Sequence, residues 1–356
     1  MRSVAPGWDR AVVHADRTIA RLTALGVPAI GSGVDLLSKR SVFTDAPRDR
    51  RQSMGGHCRL LPTGDGWCAV HLPRADDLEL LPAWIGVEAG ADAIPWAAIA
   101  DEVGGRPSTA VVASAQELGL AVSMVPDGDD EQLIERGTLT AARPWIRRRV
   151  GDTDDRTSLE GALVVDLSAL WAGPLCARML TEAGARVVKV ESSTRPDASR
   201  TSDPAFFDWL HEGQEFVTLP LAETSGVAEL VTLLERADVI IEGSRPRALD
   251  RLGIHPPEVL ARNRGAVWLS VTAYGRCGPW RDRVGFGDDT AIAGGLFDLD
   301  EHGVPGFVGD AVADPLTGLL AAALVVDAVA RGGGVTIDVA LREVARSAAR
   351  SATVVW

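Results

Sequence analysis

GALVVDLSALWAGPLCARMLTEAGARVVKVE, residues 161–191, decides the fold class. Leu163 to Leu167 is an apolar, β-rich run, and Gly173 and Pro174 mark the turn into a segment of helical period. Gly184 stops that helix, and Val187 to Val190 form a second apolar run that closes on Glu191. A strand–helix–strand unit of this kind requires parallel strands and a right-handed crossover. Ligands of such sheets sit beyond the carboxyl ends of the strands, here residues 168–174 and 191–195. The GxGxxG fingerprint of dinucleotide-binding units is absent, which counts against nicotinamide chemistry.

The alternation continues downstream. Strands are expected at 162–167, 186–191, 238–242, 266–271 and 334–340, and helices at 174–183, 225–236, 257–263 and 314–330. Upstream, 8–25 has helical spacing and is stopped by Gly26. Two short apolar runs flank Gly64-Asp65-Gly66, a hairpin signal. Helices are expected over 75–86, 94–103 and 108–118, with a strand over 120–126. The stretch 126–157 is charged and turn-rich. The expectation is an α/β protein: a doubly wound, Rossmann-like parallel sheet over 158–356, a smaller α+β domain with an N-terminal helix over 1–125, and a linker over 126–157.

At 356 residues and 46% hydrophobic, the chain can bury a full core and has room for two domains. A net charge of −13 argues against nucleic acid or an anionic membrane as partner. Lysine occurs only at Lys39 and Lys189, so arginine carries nearly all the positive charge. The four cysteines, Cys58, Cys68, Cys176 and Cys277, lack CxxC spacing and suggest reduced thiols. The opening residues contain no apolar signal-peptide core, and no apolar run is read as approaching a membrane span, so a cytoplasmic protein is expected. No metal site is expected either. His57, Cys58, Cys68 and His71 straddle the hairpin in no standard zinc spacing.

The wording DLS-x-x-x-AGP followed by GA-x-VVKVE closely resembles the opening of the class III CoA-transferases, the family that also contains α-methylacyl-CoA racemase. The resemblance spans roughly 158–345 and, more weakly, 50–126. It also implies an unusual order. The segment LLPTGDGWCAVHL (60–72) is similar to a stretch that follows the α/β part in the family. GGGVTIDVAL (332–341), near the end of this chain, is similar to what ordinarily precedes it. The chain therefore looks circularly permuted relative to ordinary family members.

Asp314 is the central candidate. In GDAVADPLTGLLAAALVV (309–326) residue physics alone makes it an N-cap, with Pro315 in the first helical turn. The resemblance instead implies a catalytic carboxylate that attacks an acyl-CoA thioester, with Asp310 as the rival if the register is shifted. It further implies CoA contacts from the turn Leu170-Trp171-Ala172, from Arg247 and Arg251 (with Arg245 nearby) in IIEGSRPRALDRLGI, and from Tyr274 in SVTAYGRCGP. Arginine suits phosphate because its forked donors engage two oxygens. The bland readings are packing for Trp171, a half-buried strand residue for Tyr274, and a solvated basic helix face for the arginines. Gly243 and Ser192 stand where the family has asparagine and often arginine.

In RVGFGDDTAIAGG (283–295), Phe286 takes the position of the histidine that the racemase branch uses, and none of the six histidines matches it. Asp288 or Asp289 is a possible substitute, with a surface loop the plainer assignment. The resemblance thus implies an enzyme moving CoA from an acyl-CoA to a carboxylic acid, with CoA as substrate and no tightly bound cofactor. It also implies an interlocked homodimer. The alternatives are an acyl-CoA racemase or isomerase working by α-proton abstraction, and a non-catalytic CoA-binding homologue.

Overall fold

The computed structural model describes residues 6–43, 49–88, 90, 93–126, 143–244, 246–351 and 354, with the side chains of 246 and 247 excepted. The hairpin signal is realised as β1 (Cys58–Pro62) and β2 (Trp67–His71), which β3 (Ala121–Met124) joins in an antiparallel sheet of order β1-β2-β3. One face carries Cys68, Val70 and Val122. It buries them under the helices Leu81–Ile85, Trp96–Gly104 and Ser108–Leu118 through Trp84, Ile99, Val103 and Val111. The other face carries Cys58, Leu60 and Ala69, which close on Ile292 of the α/β part. Alternation along each strand thus decides which side makes the small core and which side docks.

The large sheet contains β4 (Trp145–Arg149), β5 (Leu163–Asp166), β6 (Arg186–Ser192), β7 (Glu215–Leu219), β8 (Val239–Glu242) and β9 (Val267–Thr272). A short hairpin of β10 (Phe297–Leu299) and β11 (Pro305–Phe307) pairs off separately, and β12 (Val335–Ala340) returns to the sheet. The order is β4-β12-β9-β8-β5-β6-β7, parallel throughout except for β4, which runs antiparallel to β12. Inner strands are apolar on both faces. Val164, Val239, Ile241, Val267 and Leu269 enter one core, while Val165, Ile240 and Trp268 enter the opposite one. Strands covered on both sides read as continuous apolar runs, which is why residues 163–167 and 238–242 were legible.

The helix Ala313–Ala330 forms the centre of the larger core. Its sides meet the helices Gly7–Ala24, Ala172–Glu182 and Leu341–Ala349. Contrary to the sequence expectation, it is long and apolar enough to cross a membrane, and it is buried over most of its length inside the protein. Gly318 allows its close approach to Ala172–Glu182, since a Cβ there would lie 2.6 Å from the Ala172 carbonyl oxygen.

Two placements differ from the expected division of the chain. The Gly7–Ala24 helix, grouped by sequence with the small domain, packs Ala11, Ala15 and Leu22 into the core of the α/β part. Within the expected linker, residues 145–149 form β4, whose Arg147 pairs with Asp327 at 2.9 Å; residues 127–142 lie outside the described ones.

Candidate active site

From β5 the chain runs to β6 and β7 on one side of the sheet, then returns to β8, β9 and β12 on the other. The switch point therefore lies between β5 and β8, where loops leaving the two strand ends diverge and leave a crevice. A cleft of about 410 Å³ opens there. Ser168 and Leu170 after β5, Arg195 after β6, Gly243 after β8 and Ala273 after β9 line it, and Asp314 enters from the central helix.

The β5 loop is held from below by a charge buried in the sheet. Lys189 on β6 is fully buried, with its Nζ 3.4 Å from Asp166 and 3.5 Å from Asp197, and it donates to the Ser168 carbonyl. Asp166 accepts from the Ser168 amide (2.9 Å) and Asp197 from the Leu170 amide (3.0 Å). An isolated buried ammonium would cost several kcal/mol, so the two carboxylates are part of its solvation. Leu170 is thereby held at φ 70°, a conformation that L residues rarely adopt, with its side chain facing the cleft.

A second strained residue aims Asp314. Ala311 has φ 42°; its amide donates to Asp288 (2.8 Å) and its carbonyl accepts from the Asp314 amide (2.8 Å). Asp314 lies in the first turn of Ala313–Ala330 but does not cap it. Val312 occupies the N-cap position without a side-chain cap bond, which corrects the capping expectation. The Asp314 carboxylate instead rests against the backbone of Gly287, where a Cβ would lie 2.4 Å from Oδ2.

Around Asp314 the charges are unusually dense. The Gly287–Ala293 helix begins with Asp288 and Asp289, both buried. Asp310, also buried, is gripped by Arg40 (Nε–Oδ2 2.8 Å; Nη2–Oδ1 2.9 Å). His71, at the end of β2, meets Asp289 at 3.1 Å, and its ring lies 5.0 Å from that of Phe286. Burial pushes Asp314 up to about 8, with the Asp288 and Asp289 charges adding to it and Arg40 and His71 opposing it. Burial likewise raises Asp310 to about 7 against the pull of Arg40. Burial pulls His71 down, but the Asp289 bond and the Asp289, Asp288 and Asp314 charges outweigh it, and the imidazole ends above its ordinary range. A carboxylate with this environment at the floor of a cleft has the marks of a reactive group.

The structure brings together some of the sequence candidates and separates others. Leu170, Ala172 and Asp314 line the cleft. Trp171 is buried beneath it, edge-on to Phe206 at 4.9 Å with the Arg40 guanidinium 5.8 Å from its ring centre. Tyr274 is buried and edge-on to Trp280 at 5.9 Å; burial, then the Asp289 charge, raises its phenol. Its neighbour Ala273, rather than Tyr274 itself, lines the cleft. Arg251 ends the helix Pro246–Arg251 as an exposed residue outside the lining, which that helix reaches through Ala248. Arg245 lies outside the described residues, and of Arg247 only the helical backbone is described.

Asp288 and Asp289 begin a buried helix rather than a surface loop, which corrects the plainer of their two expectations. Arg74, Arg195, Arg281 and Arg283 line the cleft and were not singled out by sequence. Only Arg195 had a legible signal, falling in the loop expected to face ligand beyond β6. Arg195 is exposed, Arg281 lies 3.5 Å from Asp282, and Arg283 stacks on Trp280 at 4.3 Å. Arg74 is held by Asp77 and faces the Phe286 ring at 6.0 Å. Among the described residues no cluster of histidine, cysteine or carboxylates is arranged to hold a metal ion.

The sequence model of CoA-transferase family III matches residues 159–354. The chain is 34% identical over 164 residues to the succinyl-CoA–L-malate CoA-transferase alpha subunit of Chloroflexus aurantiacus, covering 44% of this chain and 38% of that one. To the beta subunit it is 35% identical over 199 residues, covering 52% and 49%. A crystal structure of a hypothetical protein from Mycobacterium tuberculosis is similar with a TM-score of 0.51 and 28% identity, over 54% of this chain and 57% of that one. The chain thus spans less than half the length of these two curated relatives.

Proposed function

The chain belongs to CoA-transferase family III, and from that premise we propose that it exchanges CoA between an acyl-CoA thioester and a carboxylic acid through covalent intermediates on Asp314. The observation that supports this most is the position of Asp314, a carboxylate at the floor of an arginine-lined cleft at the switch point of the sheet.

In this reading an Asp314 oxygen adds to the thioester carbonyl, the C–S bond breaks, and the electron pair leaves on sulfur as CoA thiolate. The thiolate then attacks Cγ of the mixed anhydride, expels the first acid as its carboxylate, and leaves an aspartyl-CoA thioester. The acceptor carboxylate reverses the two steps, and Asp314 is returned free. No net proton or electron is needed, and one hard displacement becomes several easier ones. The helix N-terminus under Asp314 favours negative charge as it develops. Arg195 and Arg281 supply local positive charge against an overall −13, as a polyanionic CoA requires. The exposed Arg251 at the nearby helix end remains a candidate for an outer phosphate.

We further read the chain as circularly permuted, with a small domain preceding the family-matching part. The packing of the Leu341–Ala349 helix against Gly7–Ala24 and the separate core of the β1-β2-β3 lobe support this. An interlocked homodimer and a cytoplasmic location belong to the same proposal; the four unpaired cysteines suit a reducing compartment.

The test is incubation with acyl-CoA and a second free acid in deuterated water, followed by hydroxylamine trapping and peptide mapping. Acyl exchange with label on Asp314 is the expected result. Deuterium at the α-carbon without exchange would assign a racemase, CoA binding with neither would assign a non-catalytic homologue, and label on Asp310 would move the nucleophile.

A further inference from the structure

Four carboxylates converge near the cleft floor, and the cations that face them come from outside the family-matching segment. Asp288, Asp289, Asp310 and Asp314 all lie between residues 287 and 315, whereas Arg40 and His71 come from the part of the chain preceding residue 159. Arg40 is committed to Asp310 by two contacts. His71 is placed differently. Its Nδ1 meets Asp289 Oδ1, the atom that also accepts from the Phe286 amide at 2.8 Å. Its ring packs on Phe286, which lines the cleft, and the next residue, Gly287, is the one against which the Asp314 carboxylate rests. The imidazole and the nucleophile candidate therefore bracket a single backbone corner.

We propose that His71, delivered by the small lobe and oriented by Asp289, is a positioning residue whose positive charge favours the ionised, attacking form of Asp314. The inference rests on Asp314 being the nucleophile. Its physical basis is charge balance. Asp314 faces Asp288 and Asp289 from the Gly287–Ala293 helix, with Arg40 and His71 opposing them. His71 faces Asp289, Asp288 and Asp314, with His57 nearby on the same lobe. Without a cation at 71 the charges opposing burial are Arg40, already paired with Asp310, and the arginines that line the cleft, Arg74, Arg195, Arg281 and Arg283, and the neutral acid of Asp314 is favoured further. Ser123, whose hydroxyl donates to the Asp289 carbonyl at 2.7 Å, and Gln116, which exchanges hydrogen bonds with Val284 (3.1 and 3.0 Å), hold the lobe in register for this pairing.

The experiment uses the full chain with aspartate carboxyl carbons and histidine rings isotopically labelled, the Asp314 and His71 signals being assigned by their loss in Asp314→Asn and His71→Gln. In His71→Gln the Asp314 midpoint should move upward by at least half a pH unit, and the acid limb of the exchange rate should move with it. Coupling is reciprocal, so Asp314→Asn should lower the His71 midpoint, and this measurement stands even if His71→Gln fails to fold. Unmoved midpoints, or a rate lowered equally at every pH, would overturn the proposal. Absence of exchange in the wild-type protein would instead count against the transferase reading, while the titrations still decide the coupling.

Discussion

At the scale of single residues, Asp314 combines a demand for ionisation with surroundings that resist it. Raised to about 8, it should give an activity that climbs through pH about 8 rather than near the ordinary aspartate value of about 3.9. The same shift makes a stability prediction. Between those two values the unfolded chain has released a proton that the folded protein keeps, so stability falls as pH rises. Asp314→Asn removes this penalty. The variant should fold, lose at least about a thousandfold in turnover as expected when a nucleophile that acts with its neighbours is removed, and gain melting temperature relative to wild type by a few degrees between pH 5 and pH 8.5. Scanning calorimetry at the two pH values checks this, and a constant difference would mean that Asp314 is ionised throughout. Arg195 offers a second test. Arg195→Ala should raise KM for acyl-CoA roughly tenfold, about 1.5 kcal/mol, the low end for a hydrogen bond to a charged group. Arg251→Ala run in parallel shows which arginine carries the phosphate. An effect at Arg251 alone would place the CoA tail along the Pro246–Arg251 helix.

Among the elements, the short helix Gly287–Ala293 matters most, because its first residue is in contact with the nucleophile candidate. A methyl group at Gly287 would sit 2.4 Å from Asp314 Oδ2, 2.5 Å from the Ala311 carbonyl oxygen and 2.8 Å from the Ala311 Cβ. Backbone on one side cannot yield, so Gly287→Ala should cost about 1–3 kcal/mol of stability as overpacking does and displace the carboxylate. Denaturant titration with a kcat measurement checks it; wild-type values in both would show that the helix start can shift. The sequence disclosed this element only as GDD after RVGF, and the same letters serve a loop or a buried helix start. What distinguishes them is Phe286, whose amide bonds Asp289 (2.8 Å) and whose ring is covered by His71, a residue more than two hundred positions away. Strands such as β5 and β8 were legible because both faces are apolar. By contrast β7, with Glu215, Phe216, Val217 and Thr218 exposed, has no one-sided pattern to read. Arg74 and His71 were unreadable as site residues for a related reason: their role depends on how one lobe docks on another, which periodicity does not encode.

At the scale of the whole molecule, the core of the small lobe meets the α/β part across the Cys58, Leu60, Ala69 and Ile292 contact, with the pairing of His71 and Asp289 beside it, and the Gly7–Ala24 helix packs into the α/β core itself. Residues 1–126 and 143–356 produced as separate chains in one cell should therefore copurify and recover exchange activity to within about tenfold, the loss being chiefly the entropy of association. Two pieces that fold but do not associate would show that the small lobe is held by its tether alone. Light scattering of the intact chain tests the proposed dimer at the same time. One further consequence concerns damage rather than catalysis. Thioesters and acyl anhydrides modify amines, and the reaction proposed above would expose the protein to both. Here lysine is nearly absent; Lys189 is sealed in the sheet between Asp166 and Asp197, and Lys39 holds its ammonium 5.9 and 5.0 Å from the ring centres of Phe43 and Trp209. The chain is in effect a protein with one lysine handle. A succinimidyl dye should label it at Lys39 with little competition from other side chains, and prolonged storage with acyl-CoA should leave most of its surface unmodified.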